Sequence, residues 1–334
     1  MRSNLFKLFV LTASCFLFLE QSYRFYSVGW TAFSIEKMNS LTNIFNSGLI
    51  ELSDNAEIYY QLKPNLDTYF KAAKLTTNSH GLADKEYPIE KPDGSFRIAI
   101  IGSSWSMATG VETDSSYHAL LEDRFNRDIN APLVEIINFS VEFYSLREIV
   151  SVVKNKVTDW KPDLIIIPVT FTTAAIIFEG VVADRELPET IYPFFSSFTL
   201  RELNRIGIPW PLPVDPSRPA IKAGGMGIFR NQLVRSLLEI DSVARSVEAR
   251  TMMVWLGFDP MQRKVSSSLN ALADESEIII VRGNKGLLGT KREEEKLRIS
   301  KFDRHPNKEA HSRIADEVEL AIRENKLLPV QVEL

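Results

Sequence analysis

The chain has 334 residues, 45% of them hydrophobic and 25% charged, enough to bury one large core or two small ones. A net charge of −4, a pI near 5.8 and the lack of any Lys/Arg block interleaved with aromatics exclude a surface that tracks phosphates, so nucleic acid is not an expected partner. Cys15 is the only cysteine, which excludes an intramolecular disulfide and thiol-based metal clusters; no metal or cofactor is expected.

The N-terminus begins with a basic flank, Arg2 to Lys7, followed by an uncharged, largely apolar run from Leu8 to Leu19 that Glu20 closes. The run alone is shorter than the about 20 residues a membrane span needs and suits the core of an export signal. Counted from Leu5, with Lys7 reaching back to the interface, residues 1–20 form a thin signal-anchor that leaves its positive end in the cytoplasm. The bulky Gln21–Tyr26 stretch offers no small-residue cleavage site, so the expectation is an uncleaved tether and an extracytoplasmic main domain, secreted if the segment is removed. Thr12-Ala13-Ser14-Cys15 is not read as a lipoprotein box, because Phe16 to Leu19 keep that cysteine inside the apolar run.

Residues 21–94 read as a lead-in that packs on the main domain, ending in a turn at Pro92-Asp93-Gly94. From 95 to about 326 the pattern alternates. Short runs rich in Ile and Val, Ile98–Ile101, Val134–Ile137, Leu164–Val169, Met252–Leu256 and Ile278–Val281, predict buried parallel strands. Helices are predicted between and after them, over Ser116–Asn126, Leu146–Trp160, Ile228–Val247, Met261–Ala273 and Asn307–Asn325. This order predicts an α/β three-layer sandwich around a central parallel sheet, with ligands bound beyond the carboxyl ends of the strands. Residues 327–334 read as a tail.

Residues 171–227 break the rhythm with seven prolines from Pro188 to Pro219, the aromatics Phe194, Phe195 and Trp210, and a Gly224-Gly225-Met226-Gly227 turn. So long an insertion is commonly a lid or binding loop. Trp210, with Trp105 after the first strand, is a candidate for contacting substrate, since aromatic faces stack on sugars. The remaining histidines, His80, His118 and His311, have no neighbours at metal-ligand spacing; His311 is expected on a helix surface, and the charged run Lys291–Lys296 on a solvated helix face.

The chemistry concentrates at two places. The first strand stops at Gly102 and presents Ser103 and Ser104 at its tip, and the last helix is preceded by Asp303-Arg304-His305. A serine hydroxyl is a weak nucleophile and needs a base, and the base needs a carboxylate to fix its tautomer, so Ser104, His305 and Asp303 supply the parts of a hydrolytic triad.

These residues sit in blocks that resemble the SGNH (GDSL-type) hydrolases. Gly102 to Val111 is similar to the family's Gly-Asp-Ser block, Asn138-Phe139-Ser140-Val141-Glu142-Phe143-Tyr144-Ser145 to its second block, Lys161 to Val169 to the strand entering its third, and Asp303 to Ala315 to its last, with the D-x-H spacing of polysaccharide-modifying members. Tyr60 to Asn65 and Thr77 to Gly81 resemble the lead-in of exported bacterial members. The resemblance runs over about residues 59–326 in the family's order and implies its flavodoxin-like sandwich and a serine esterase or deacetylase acting through an acyl-enzyme on Ser104. It also implies Ser104 rather than Ser103 as nucleophile, because Ser103 stands where the family keeps aspartate.

The oxyanion hole departs from the family: Ser140 stands in place of its glycine, and Thr172, or Thr173 with a one-residue slip, in place of its asparagine. Loss of one such donor costs about 3 kcal/mol of transition-state stabilisation. Two further readings stay open, an O-acetyltransferase of an exported polysaccharide and a non-catalytic glycan-binding or assembly protein that uses the same pocket. The implied partners are an acylated small-molecule or glycan substrate and a membrane at the N-terminus.

Overall fold

The computed structural model describes residues 2–42, 44–127, 131–170, 176–178, 221–223, 226–256, 259–282, 291–300 and 303–329. Its first element is a helix, α1 (Arg2–Val28), whose window Asn4–Tyr26 is long and apolar enough to cross a membrane and is 6% buried. The helix runs on past Glu20, the residue that closes the apolar run. Glu20 Oε1 accepts from Arg24 Nε one turn later at 2.6 Å, so the two charges neutralise each other on one helix face.

Five strands, β1 (Phe96–Ile100), β2 (Val134–Asn138), β3 (Leu164–Val169), β4 (Arg250–Trp255) and β5 (Ile279–Val281), form one sheet. Every pairing is parallel, in the order β5-β4-β3-β1-β2. That is a doubly wound sheet whose strand order reverses between β1 and β3, the place beyond whose carboxyl ends such sheets bind ligands.

The layers follow from the two-residue period of the strands. Ile98, Ile100, Ile136, Leu164, Ile166, Met252 and Val254 face one core, shared with α2 (Tyr117–Phe125) and the C-terminal helix α7 (Lys308–Glu324). Ala99, Ile137, Ile165, Ile167, Met253 and Trp255 face the other, shared with α3 (Leu146–Asn155), α4 (Met226–Ser246) and α5 (Asp259–Glu275). The chain is thus an α/β three-layer sandwich with a central parallel sheet. One short helix, α6 (Lys291–Lys296), precedes the D-x-H turn.

The lead-in is built from two antiparallel hairpins, Ile50–Leu52 with Tyr60–Leu62 and Asp67–Phe70 with Ala73–Thr76. Ile44, Phe45, Tyr60 and Leu62 enter the same core as Phe139, Val141 and Tyr144, so the lead-in packs on the loop after β2. Tyr60 Oη donates to Glu142 O at 2.8 Å and Tyr144 Oη to Tyr60 O at 2.8 Å, which locks the two pieces together.

Candidate active site

β1 delivers the loop that carries Ser104 to the switch point. Ile101 N–H still donates to Ile166 O at 3.0 Å, and Gly102 N–H then leaves the sheet to donate to Ser140 Oγ at 2.8 Å. A Cβ on Gly102 would lie 2.6 Å from Ser106 Oγ and 3.3 Å from Pro168 O, so only glycine fits there. The loop closes on itself: Ser103 O accepts from Ser106 and Met107, each at 2.9 Å, and Ser104 O accepts from Thr109 at 3.0 Å. Ser106 to Thr109 are buried while Ser103, Ser104 and Trp105 are half-buried, which leaves the Ser104 side chain at the rim. Trp105 packs against the core on the α2 and α7 side.

The D-x-H turn is zipped against the preceding segment. Ile299 N–H donates to His305 O at 2.9 Å, Asn307 N–H to Leu297 O at 2.8 Å, and Asp303 N–H to Ser300 Oγ at 3.1 Å. Asn307 then caps α7 by accepting from Ala310 N–H at 3.0 Å. Within the turn Asp303 Oδ1 accepts from His305 Nδ1 at 2.5 Å and from His305 N–H at 3.0 Å. Burial pushes the Asp303 carboxyl up, but the hydrogen bonds from His305 and the charges of His305 and Lys71 outweigh it and hold the group at about 2. An ionised carboxylate on Nδ1 keeps a proton on that nitrogen and leaves Nε2 as the basic one.

The segment leading into the turn and the Ser104 loop approach each other through Gly110, where an added Cβ would strike Ile299 Cδ1 and come 3.3 Å from Lys71 Cβ. Among the described residues no hydrogen bond joins Ser104 Oγ to His305, and none engages the Ser104 amide. The amide of Ser140 is differently placed: it donates to Asn138 Oδ1 at 3.1 Å, while the Ser140 hydroxyl accepts from Gly102. Thr172, Thr173, Trp210 and the Phe194-Phe195 pair lie outside the described residues. Among the described residues no cluster of His, Cys, Asp and Glu has the make-up of a metal site.

Behind the loop lies a buried polar network. Asp84 Oδ2 accepts from Asn138 N–H at 2.9 Å, Asn138 Nδ2 donates to Ser106 O at 2.9 Å, and the His118 ring lies 3.4 Å from Asn138 Nδ2 and 3.2 Å from Ser116 Oγ. Burial pushes Asp84 up to about 8 and His118 down to about 3. His311 is a correction to its expected place on a helix surface: it is fully buried, its ring stacks on Tyr117 with centroids 5.8 Å apart, and its Nδ1 accepts from Tyr117 N–H at 3.2 Å. The charged run before the D-x-H turn is likewise not wholly solvated, since Glu294 is 2% exposed and pairs with Arg298 at 2.6 Å.

No protein-family model and no curated protein matches the sequence. Solved structures do match. A structure of TesA is 15% identical with a TM-score of 0.40, covering 70% of this chain and 99% of that one. A lipase/acylhydrolase from Enterococcus faecalis is 11% identical with a TM-score of 0.44, covering 69% and 96%. An acetylxylan esterase from Geobacillus stearothermophilus, solved as a catalytic mutant, is 13% identical with a TM-score of 0.41, covering 71% and 99%. These are distant likenesses, and the fold stands on the strand order and layering of the chain itself.

Proposed function

We propose that the chain is an SGNH-type serine ester hydrolase held at a membrane by its N-terminal helix. The observation that carries this reading is the Asp303–His305 pair, bonded at 2.5 Å and seated beside the loop that follows β1. Ser104 Oγ attacks the ester carbonyl while His305 Nε2 takes the hydroxyl proton. The tetrahedral intermediate collapses, the alcohol leaves with the proton from His305, and water clears the acyl-enzyme by the same steps in reverse roles. Asp303 orients the ring and offsets the imidazolium charge. The Ser104 amide is one donor for the oxyanion, and the Thr172 hydroxyl is the second in this reading. Acylated glycans are the substrate class we favour, with acceptor contacts from the 171–227 insertion; transfer of the acyl group to a sugar hydroxyl in place of water makes the same machinery an O-acetyltransferase.

The tether is supported by the aromatic residues at the end of α1 and just beyond it. Trp30, Phe33 and Ile35 are 80%, 61% and 68% exposed, and Phe25, Trp30 and Phe33 form a ring cluster with centroids 5.3 to 5.8 Å apart. Exposed aromatics at the end of an apolar helix match the headgroup level of a bilayer, which leaves the main domain outside the cytoplasm when the basic end stays in.

One observation favours a second reading, a glycan-binding protein without turnover: the Ser140 amide is already spent on Asn138. Release of acetate from acetylated xylo-oligosaccharides by the detergent-solubilised protein separates the two. Turnover that Ser104→Ala abolishes and Thr172→Asn raises supports the enzyme; folded protein that binds the oligosaccharide and releases no acetate supports the binding protein.

A further inference from the structure

Glu142 takes no part in the reaction above, yet it is the residue through which three pieces of the site meet. It is 3% exposed. Its Oε2 accepts from Thr109 Oγ1 at 3.2 Å, its N–H points at Met107 Sδ at 3.2 Å, and its carbonyl accepts from Tyr60 Oη at 2.8 Å. One side chain and its backbone therefore tie the second-block loop to the nucleophile loop and to the lead-in.

The backbone around it is held in conformations that side chains disfavour. Ala108 has φ 61° and Phe143 φ 67°, one on each side of the Thr109–Glu142 bond, and the hairpin turn that brings Lys71 to Gly110 has φ 51° at Lys71 and 68° at Ala72. Four of the eight non-glycine residues with positive φ among the described residues thus gather at this point. Such strain persists where packing over-determines it, commonly at working sites.

The charges acting on Glu142 come from the same groups that surround the base. His305 and Lys71 favour its carboxylate and Asp303 opposes it; Tyr60, flanked by Tyr144 and Glu148, covers its backbone side. We propose that Glu142 is a second carboxylate of the catalytic centre, a positioning residue that holds the nucleophile loop in register through Thr109 and supports positive charge on His305 as Ser104 loses its proton. Lys71 balances the two carboxylates. This inference rests on the reading of Ser104, His305 and Asp303 as a triad.

Burial pushes the Glu142 carboxyl up, against His305, Lys71 and the Thr109 hydroxyl, so the support it gives His305 is lost as pH falls. The rate of fluorophosphonate labelling of the full-length protein in nanodiscs, followed from pH 5 to 9, tests this. Glu142→Gln keeps an acceptor for Thr109 and removes the charge. It should slow labelling at the plateau by about threefold and move the ascending limb to lower pH, because the ring loses a carboxylate that favours its charged form. Thr109→Val removes a bond that favours the carboxylate, weakens the same support and should move the limb the same way, to lower pH, by less. Thermal melts confirm that each variant is folded, and if Glu142→Gln is not, the Thr109→Val shift decides. Labelling of the wild type with unmoved limbs in the folded variants overturns the role of Glu142 alone. No labelling of the wild type overturns the triad and this inference with it.

Discussion

Two constellations of serine, histidine and aspartate lie near each other in this molecule, and they differ in everything except residue type. Ser116, His118 and Asp84 are the better connected, with His118 Nε2 3.2 Å from Ser116 Oγ and 3.8 Å from Asp84 Oδ2. Ser104, His305 and Asp303 share only the bond inside the D-x-H turn. Environment reverses the ranking. Ser116 is the N-cap of α2, accepting from Ala119 N–H at 3.3 Å and donating to Thr113 O at 2.5 Å, and burial strips His118 of the basicity a general base needs. Asp303 and His305 keep side-chain exposures of 22% and 20%, and Asp303 stays ionised. A buried cluster that solvent and substrate cannot reach is architecture; a partly exposed one beside the carboxyl ends of the strands is a candidate for chemistry.

The largest effect that can break this contrast is on the nucleophile. Ser104→Ala should lower ester hydrolysis by about a thousandfold or more, whereas Ser116→Ala should leave the rate within about twofold. The opposite pattern, measured with a short-chain nitrophenyl ester, would exchange the roles of the two clusters. Asp303→Asn should cost about three to four orders of magnitude by freeing the wrong tautomer of His305, read in the same assay.

A smaller effect concerns stability against pH. Burial lowers His118 and His311 to about 3, so the unfolded chain takes up protons there that the native chain does not, and stability falls as pH drops from 6.5 toward 3. Asp84, raised to about 8, has the opposite sign: the native chain holds its proton, so stability falls as pH rises from about 4 to 8. The three groups together place the maximum near pH 6.5. Denaturant midpoints across that range should show it, and Asp84→Asn should flatten the alkaline side; a midpoint that climbs steadily to pH 8 would contradict the assignment. The smallest effect is the cap itself, where Ser116→Ala should cost about 1 kcal/mol of stability without touching the rate.

Much of the layering was legible from sequence because short apolar runs of Ile and Val carry it locally, and the D-x-H turn was legible because its parts are two residues apart. The buried network was not, because Asp84, His118 and Asn138 come from the lead-in, α2 and β2 and meet only through packing. Glu142 and Lys71 are hidden for the same reason; the φ values around them are visible only in three dimensions. His311 did leave a signal. Ile314, Ala315 and Val318 continue from it at helical spacing, so it belongs to the buried stripe of α7 that faces α2. Glu294 leaves a weaker one, three residues before the buried Leu297. The continuation of α1 past Glu20 is accompanied by an i, i+4 partner, Arg24, that offsets its charge.

The most direct test of the central claim is to map the site of a fluorophosphonate adduct on the folded, full-length protein by peptide mass spectrometry. One adduct is expected, on Ser104, that disappears in Ser104→Ala and survives in Ser116→Ala. An adduct on another serine, or none on protein whose fold is intact, would contradict it.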